Sequence, residues 1–528
     1  MALGISFEVL FIILSLLLWG VFWFSTRTFN HWKKKGVYYK EPIIFFGNLK
    51  ERVLFQKSFH EFHRDLYRSF DGHKYAGFFE GRRPTLMVRD PELIKFIMVR
   101  DFEHFVDRPT VALRNSPYTQ NMLINMKGQQ WKNVRALLTP TFSSGKLKAM
   151  ENLVEQCGQQ METFLQNECN KNGTNNEKCI ELEMKEFFGR FTLDVIATCA
   201  FGVQCDSLKD PEAEFVKIAA AFNDISIFNR ILIFFVLFFV PQFSRFFPLR
   251  FFNKQAMAFL VDVVKKTKEH RRLHKEEKWN DFLQLMLDAS AEAKEEGGDE
   301  KQDDGVKSNT KKTSTTVLNE ETIIAQSLLF ILAGFETSST LLTYAAYELA
   351  LNQEIQHNLR KQIKEVLDKF GGYCSYEALL DMNYLEMVLL ETLRKHPPLA
   401  RVDRLCTQSY TIPGTNIQLQ QDSTVCIPIM GLHHDPQYYP QPEVFDPNRF
   451  LPTEKTTRSP YAFLAFGSGP RNCIGTRFAL MSTKIAMVHL IKDFYLKPSM
   501  KTEVPFKYNK FSMFLKAKNG IWLNIEKI

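Results

Sequence analysis

Phe466-Gly467-Ser468-Gly469-Pro470-Arg471-Asn472-Cys473-Ile474-Gly475 is the stretch on which the reading of this chain turns. Three glycines and a proline within ten residues predict a tight turn whose backbone comes close to the Cys473 sulfur, where larger side chains would stand in the way. Arg471 places a cation two residues before it. Beyond Gly475, Phe478, Leu480, Met481, Ile485, Val488 and Leu490 recur at helical spacing. Cys473 therefore falls just ahead of a helix N-terminus, where the dipole favours an anion. Each feature favours thiolate over thiol.

A buried structural cysteine is the alternative, and it is the ordinary fate of a cysteine without such neighbours. Here the ten surrounding residues favour a thiolate that ligates haem iron. Opposite an open coordination position, such a thiolate pushes electron density towards oxygen and favours O–O cleavage.

The chain has 528 residues, 45% of them hydrophobic, which suits a globular protein with a sizeable core. A net charge of +8 is too modest to suggest nucleic-acid binding. The nine cysteines form no CxxC pairs, so neither a zinc site nor a disulfide framework is indicated, and a reducing compartment fits best.

Phe7 to Phe24 is apolar apart from Glu8 and Ser15 and is followed by Arg27, His31 and Lys33-Lys34-Lys35. That order of charge fits an uncleaved anchor, spanning once with everything after it in the cytosol. The expected division is residues 1–26 as anchor, 27–50 as a linker in which Gly36, Pro42 and Gly47 allow pivoting, and 51–528 as the body. Gly77 to Val88, Tyr410 to Ile412 and Val425 to Ile429 read as strands. Ile231 to Val240, followed by phenylalanines interleaved with Arg245 and Arg250, suits either a core helix or a segment resting in the membrane interface; the second is favoured. Residues 289–316, rich in Glu, Lys, Gly, Asp, Ser and Thr, read as a disordered surface insertion.

Asn319 is a candidate N-cap, with Glu320 and Glu321 in the first turn of a helix running to about Asn352. Its middle reads Ala333-Gly334-Phe335-Glu336-Thr337-Ser338-Ser339-Thr340. Gly334 leaves room for a ligand at the backbone. Thr337 can bond the Ala333 carbonyl and open the helix to water. Oxygen activation in a dry pocket needs protons, and a hydroxyl, water and carboxylate relay supplies them. Close packing of a Ser/Thr-rich helix is the alternative. Downstream, Glu391 and Arg394 share a helical face among apolar neighbours, and Arg449 is a candidate third member of a buried ion-pair group. Trp131 and Arg135 share a face of another helix.

The cysteine turn, the Ala333–Thr337 segment, the Glu391/Arg394 pair with Phe445 to Phe450, and Trp131/Arg135 stand in the order and spacing of the haem-thiolate monooxygenases, the cytochromes P-450, which this chain resembles along nearly its whole length. Ala333 to Thr340, Leu138 to Met150 and Phe466 to Leu480 look most like insect microsomal enzymes of family nine, in the clan shared with vertebrate family three. The resemblance implies a mainly α fold with a small β region after one transmembrane helix. It implies haem b, iron protoporphyrin IX, held by Cys473 as the iron ligand, with Trp131, Arg135, Arg404 and Arg471 on the propionates. Glu336 and Thr337 become the distal acid–alcohol pair, and Glu391, Arg394 and Arg449 become structural. Phe105, Val111, Met122, Phe222, Phe330, Ala333, Ala400, Val402 and Met513 are the pocket candidates. O2 and NADPH-derived electrons would be co-substrates. NADPH-cytochrome reductase, with cytochrome b5 as a second candidate, would dock where Lys132, Lys146, Lys148, Arg477 and Lys484 form a basic patch. The family's proline-rich hinge is matched only by Pro42.

The expected function is oxygen insertion into lipophilic substrates at the endoplasmic reticulum membrane, with detoxification ahead of steroid or fatty-acid hydroxylation. A haem-thiolate isomerase and a haem sensor are the rivals. Neither needs the Glu336-Thr337 pair.

Overall fold

The computed structural model describes the chain except residues 1–6, 110–116, 173–178, 299–317 and most of 222–251, with short breaks at 211, 275 and 277–278. Helix α1 (Phe7–Thr26) is long and apolar enough to cross a membrane and packs none of its apolar length inside the protein. The helices that position the site are α2 (Gly128–Leu138), α3 (Ser144–Asn172), α4 (Met184–Phe201), α5 (Glu214–Ala221), α6 (Phe282–Gly298), α7 (Glu320–Leu351), α8 (Asn383–Lys395) and α9 (Thr476–Asp493). Strands β1 (Tyr75–Glu80), β2 (Arg83–Val88), β4 (Val402–Leu405) and β5 (Thr424–Ile427) form a sheet in the order β1-β2-β5-β4, with β2 and β5 parallel. Strands β3 (Cys179–Glu183), β6 (Phe494–Pro498) and β7 (Trp522–Lys527) pair antiparallel, with β7 central.

The segment expected to pivot after the anchor is packed instead. Trp32 is buried and its ring fills the space where Gly77 of β1 lacks a side chain; a Cβ there would lie 2.4 Å from the indole. Thr28 Oγ1 donates to the Arg82 carbonyl (2.6 Å), and the Arg82 guanidinium lies 3.7 Å over the Phe24 ring. The insertion expected from residue 289 begins as helix, because α6 continues to Gly298. The remainder of that insertion, and nearly all of the segment expected at the membrane interface, lie outside the described residues.

Helix α7 begins where its cap predicts: Asn319 Oδ1 accepts from the Thr322 amide (2.8 Å). Most of its length is buried, so it is the core around which the other helices pack. It presses closest on α4. A Cβ on Gly334 would stand 2.2 Å from Ile196 Cδ1, so this glycine serves helix contact, not ligand approach as the sequence suggested.

Two buried ionic groups brace the core. Glu391 and Arg394, neither with any exposed surface, form a two-pronged pair at 2.7 and 2.8 Å. Arg394 also donates to the His433 carbonyl, Glu391 accepts the Asp446 amide, and Arg449 approaches Glu391 at 3.5 Å. These extra partners offset the desolvation of a buried pair. Between α3 and α9, His489 bonds Glu155 (3.0 Å) and Glu162 (2.5 Å), its ring resting where Gly158 has no side chain. Glu155, Gly158 and Glu162 share one helical face.

Arg394→Leu leaves buried Glu391 without its two-pronged partner and with only the more distant Arg449, so unfolding by denaturant should show a loss of about 3–5 kcal/mol; a loss below about 1 kcal/mol would make the pair dispensable. Burial alone would lower the His489 pKa, but Glu155 and Glu162 outweigh it and hold it above its ordinary value. A raised histidine pKa stabilises fully below about 6.5 and loses that contribution as pH rises through the folded value. Unfolding followed from pH 6 to 9 should therefore show a decline that His489→Gln flattens.

Candidate functional site

The Phe466–Gly475 turn folds as its glycines require. Gly467 and Gly469 take φ of +71° and +72°, and a Cβ on Gly469 would overlap the Met98 carbonyl oxygen at 1.8 Å. The Cys473 amide donates back to the Phe466 carbonyl (2.8 Å), closing the turn, and α9 starts three residues on. Cys473 is the one exposed cysteine of nine. It keeps open surface, which a buried structural cysteine would not.

Four arginines converge beside it. Arg135 of α2 donates to the Asn472 carbonyl (3.1 Å) and side chain (2.9 Å), tying α2 to the turn. Arg471 turns away from the sulfur and donates to the carbonyls of Val106, Ile124 and Met126, with its guanidinium 4.8 Å over the Trp131 ring. Arg404 lies on β4, wholly buried. Arg108, which the sequence reading missed, donates to the Arg471 carbonyl (3.3 Å). Arg108 and Arg404 each keep a buried Nε without an acceptor. Burial, then Arg108 and Arg471, push the Arg404 pKa down to about 9; burial and Arg108 push Arg471 down to about 9. Among the described residues the nearby carboxylates are Asp107, 3.9 Å from Arg471, and Asp403, shared with Arg401. That imbalance suits a ligand with more than one carboxylate. An exposed cysteine sulfur beside a buried cationic set fits iron protoporphyrin, whose propionates supply the missing anions.

On α7, Thr337 Oγ1 donates to the Ala333 carbonyl (2.6 Å), and Leu332, Ala333 and Thr337 keep open surface. Glu336 turns the other way. Its carboxylate pairs with the half-buried Lys185 (3.1 Å), whose ammonium also bonds the Glu336 carbonyl (3.0 Å), Ser339 Oγ (2.7 Å) and Thr340 Oγ1 (2.8 Å). The acid and the alcohol are thus neighbours in sequence on different faces of the helix.

Of the pocket candidates, Ala333, Val402 and Met513 retain accessible surface, whereas Phe105, Met122, Phe330 and Ala400 are packed away. Phe105 stacks edge-on against Tyr410 beside the larger sheet, and Phe330 packs between Phe142 and Phe282. Half-buried Leu332 is the aliphatic side chain next to Ala333. The helical period does not carry this signal: position 330 lies on nearly the same side as 333 and 337, and its ring is withdrawn because Phe142 and Phe282 hold it. Val111 and Phe222 lie outside the described residues. The expected basic patch shrinks: Lys484 is buried against Glu386 (2.9 Å) and the Leu379 carbonyl, and Lys132 and Lys148 pair with Glu103 and Glu377. Lys146 and Arg477 remain.

Residues 38–524 match the family model described as Cytochrome P-450. The chain is 38% identical to cytochrome P-450 9e2 of Blattella germanica, covering 99% of this chain and 97% of that one. It is 36% identical to cytochrome P-450 6k1 of the same insect (98% and 97%) and 33% identical to cytochrome P-450 6A1 of Musca domestica (98% and 97%). Relatives matched end to end at this level, and a cysteine turn built as described, place the chain in the cytochrome P-450 family of haem-thiolate monooxygenases.

Proposed function

We propose that this protein is a membrane-anchored monooxygenase of the endoplasmic reticulum that inserts one atom of O2 into lipophilic foreign compounds, taking NADPH-derived electrons from NADPH-cytochrome reductase, with cytochrome b5 as an auxiliary donor. The observation that carries the reading is the exposed Cys473 beside four converging arginines, of which Arg404 and Arg471 are buried, together with the Ala333/Thr337 face of α7. Haem b bound there supplies O2 activation and atom transfer to a substrate C–H bond. Cys473 would ligate the iron, while Arg108, Arg135, Arg404 and Arg471, steadied by Trp131, would bind the propionates. Thr337 holds its hydroxyl at the open face and, by drawing on the Ala333 carbonyl, makes room for water that carries protons. Glu336 would feed that water from the far face once it parts from Lys185. Ala333, Leu332 and Val402 present small or aliphatic surface, which suits apolar substrates. Lys146 and Arg477, on the cysteine side, offer positive charge to an acidic electron donor.

The detoxification role rests on the likeness to insect enzymes of families six and nine. It is tested by turnover of plant toxins, insecticides, steroids and fatty acids in membranes containing this protein and the reductase, with products read by mass spectrometry. Products from several unrelated chemotypes are expected. Oxygenation of a single steroid or fatty acid would make the role biosynthetic, and conversion of peroxides alone, without NADPH, would overturn the monooxygenase reading.

Thr337→Ala should keep haem and NADPH consumption but divert reducing equivalents to peroxide, with product per NADPH falling by at least about tenfold. Unchanged coupling would remove Thr337 from proton delivery.

A further inference from the structure

On the outer side of α7, away from Cys473, the structure encloses a cavity of about 580 Å³ between α4, α5, α7 and the C-terminal segment from Leu515 to Ile521. It shares no residue with the cysteine turn, the arginine set, Ala333 or Thr337. Its apolar wall is made by Gly189, Leu193, Val216, Phe335, Leu515 and Ile521. Its charged lining is unbalanced: Lys185, Arg190, Lys217, Lys516 and Lys518 face Glu183, Glu186 and Glu336, five cations against three anions. Lys185, Arg190 and Lys217 are already paired, with Glu336, Glu186 and Glu212. The excess is therefore Lys516 and Lys518, both exposed and without a carboxylate among the described residues.

A second observation lies at the same end. Tyr344 is 1% exposed, lines the cavity, and its hydroxyl donates to no acceptor. What faces it is another donor, the Ala517 amide. That amide is free for the purpose because Tyr508 and Ala517 pair without bonding each other; the ladder bonds run from Asn509 to the Lys516 carbonyl and from Lys518 to the Lys507 carbonyl. Two lysines, a hydroxyl and an amide thus meet around Ala517. A buried donor without an acceptor is costly, and an acceptor that entered here would remove that cost.

We propose that this cavity binds an amphipathic carboxylate, its head between Lys516, Lys518 and the Tyr344 hydroxyl and its apolar chain along Leu193, Val216 and Phe335, at a site separate from the haem pocket. The volume lies within the range of small-molecule sites, about 300–1,000 Å³. A positive rim beside an apolar wall selects a carboxylate with a tail over either a free inorganic anion or a neutral lipid.

The test uses the full-length holoenzyme in nanodiscs and perfluorodecanoate, which has no C–H bond on its chain to be oxygenated, measured by equilibrium dialysis against empty nanodiscs. Saturable binding is expected, and it should persist when the haem pocket is filled by an imidazole ligand of the iron. Lys516→Glu combined with Lys518→Glu should weaken it by about tenfold, two attractive contacts becoming repulsive; Tyr344→Phe should weaken it less, and Val216→Trp should block it by filling the cavity. Haem content and turnover of a neutral substrate, unchanged in the lysine variant, establish that it is folded. Binding displaced by imidazole and indifferent to these substitutions would put the ligand in the haem pocket and overturn the proposal, as would no saturable binding above empty nanodiscs.

Discussion

Confining like charges in a buried space is the most demanding arrangement in this structure, and much of the fold exists to sustain it. Burial lowers the proton affinity of Arg108, Arg404 and Arg471, and neighbouring arginines of the set lower each further, against two nearby carboxylates of which one is shared with Arg401. In water such a set would separate. Here Arg404 is held by the register of β4 on β5, Arg135 by its bonds to Asn472, and Arg471 by three backbone carbonyls. A protein does not retain a cationic set of this kind for stability alone, because an apolar cluster of the same volume would serve better. The arrangement makes sense when a multiply anionic group completes it, and the exposed Cys473 beside it identifies what else that group must offer.

The sequence was most legible where chemistry requires a particular residue at a particular backbone position. The glycines of the cysteine turn, the Asn319 cap, the span of α7 and the hydrogen bond from Thr337 to Ala333 are local matters, decided within a few residues of chain. The family itself was legible for the same reason. Pairings between distant segments were not. Strands β3 and β7 lie more than three hundred residues apart, and neither carries an alternation strong enough to declare itself; β4 is only four residues long. Gly158 and Gly77 have no local need of glycine, their reasons being a histidine on α9 and the tryptophan after the anchor. Arg108 looks like any surface arginine until tertiary structure buries it.

The pocket candidates that are packed away share one cause. Phe105, Met122, Phe330 and Ala400 were chosen by their position along the chain, whereas lining a cavity depends on what each side chain finds to pack against. Phe330 and Ala333 are one helical turn apart, yet the aromatic ring is captured by Phe142 and Phe282 while the methyl group stays open. Large apolar side chains find partners in a core; small ones are what remain beside an open space.

The two faces of α7 behave differently, and the difference bears on function. Its outer face is fastened by Lys185, which bonds four groups between Glu336 and Thr340, and another side is held by Ile196 pressed against Gly334. Its inner face has the Thr337 hydroxyl drawing on the Ala333 carbonyl and no comparable clamp. A helix held rigidly along one side can widen locally on the other without losing its register, because displaced backbone groups find hydroxyl or water partners while the fastened side keeps its ladder. Lys185 therefore does more than neutralise Glu336. On the function proposed above, it would hold this turn of the helix in place while water reaches Thr337.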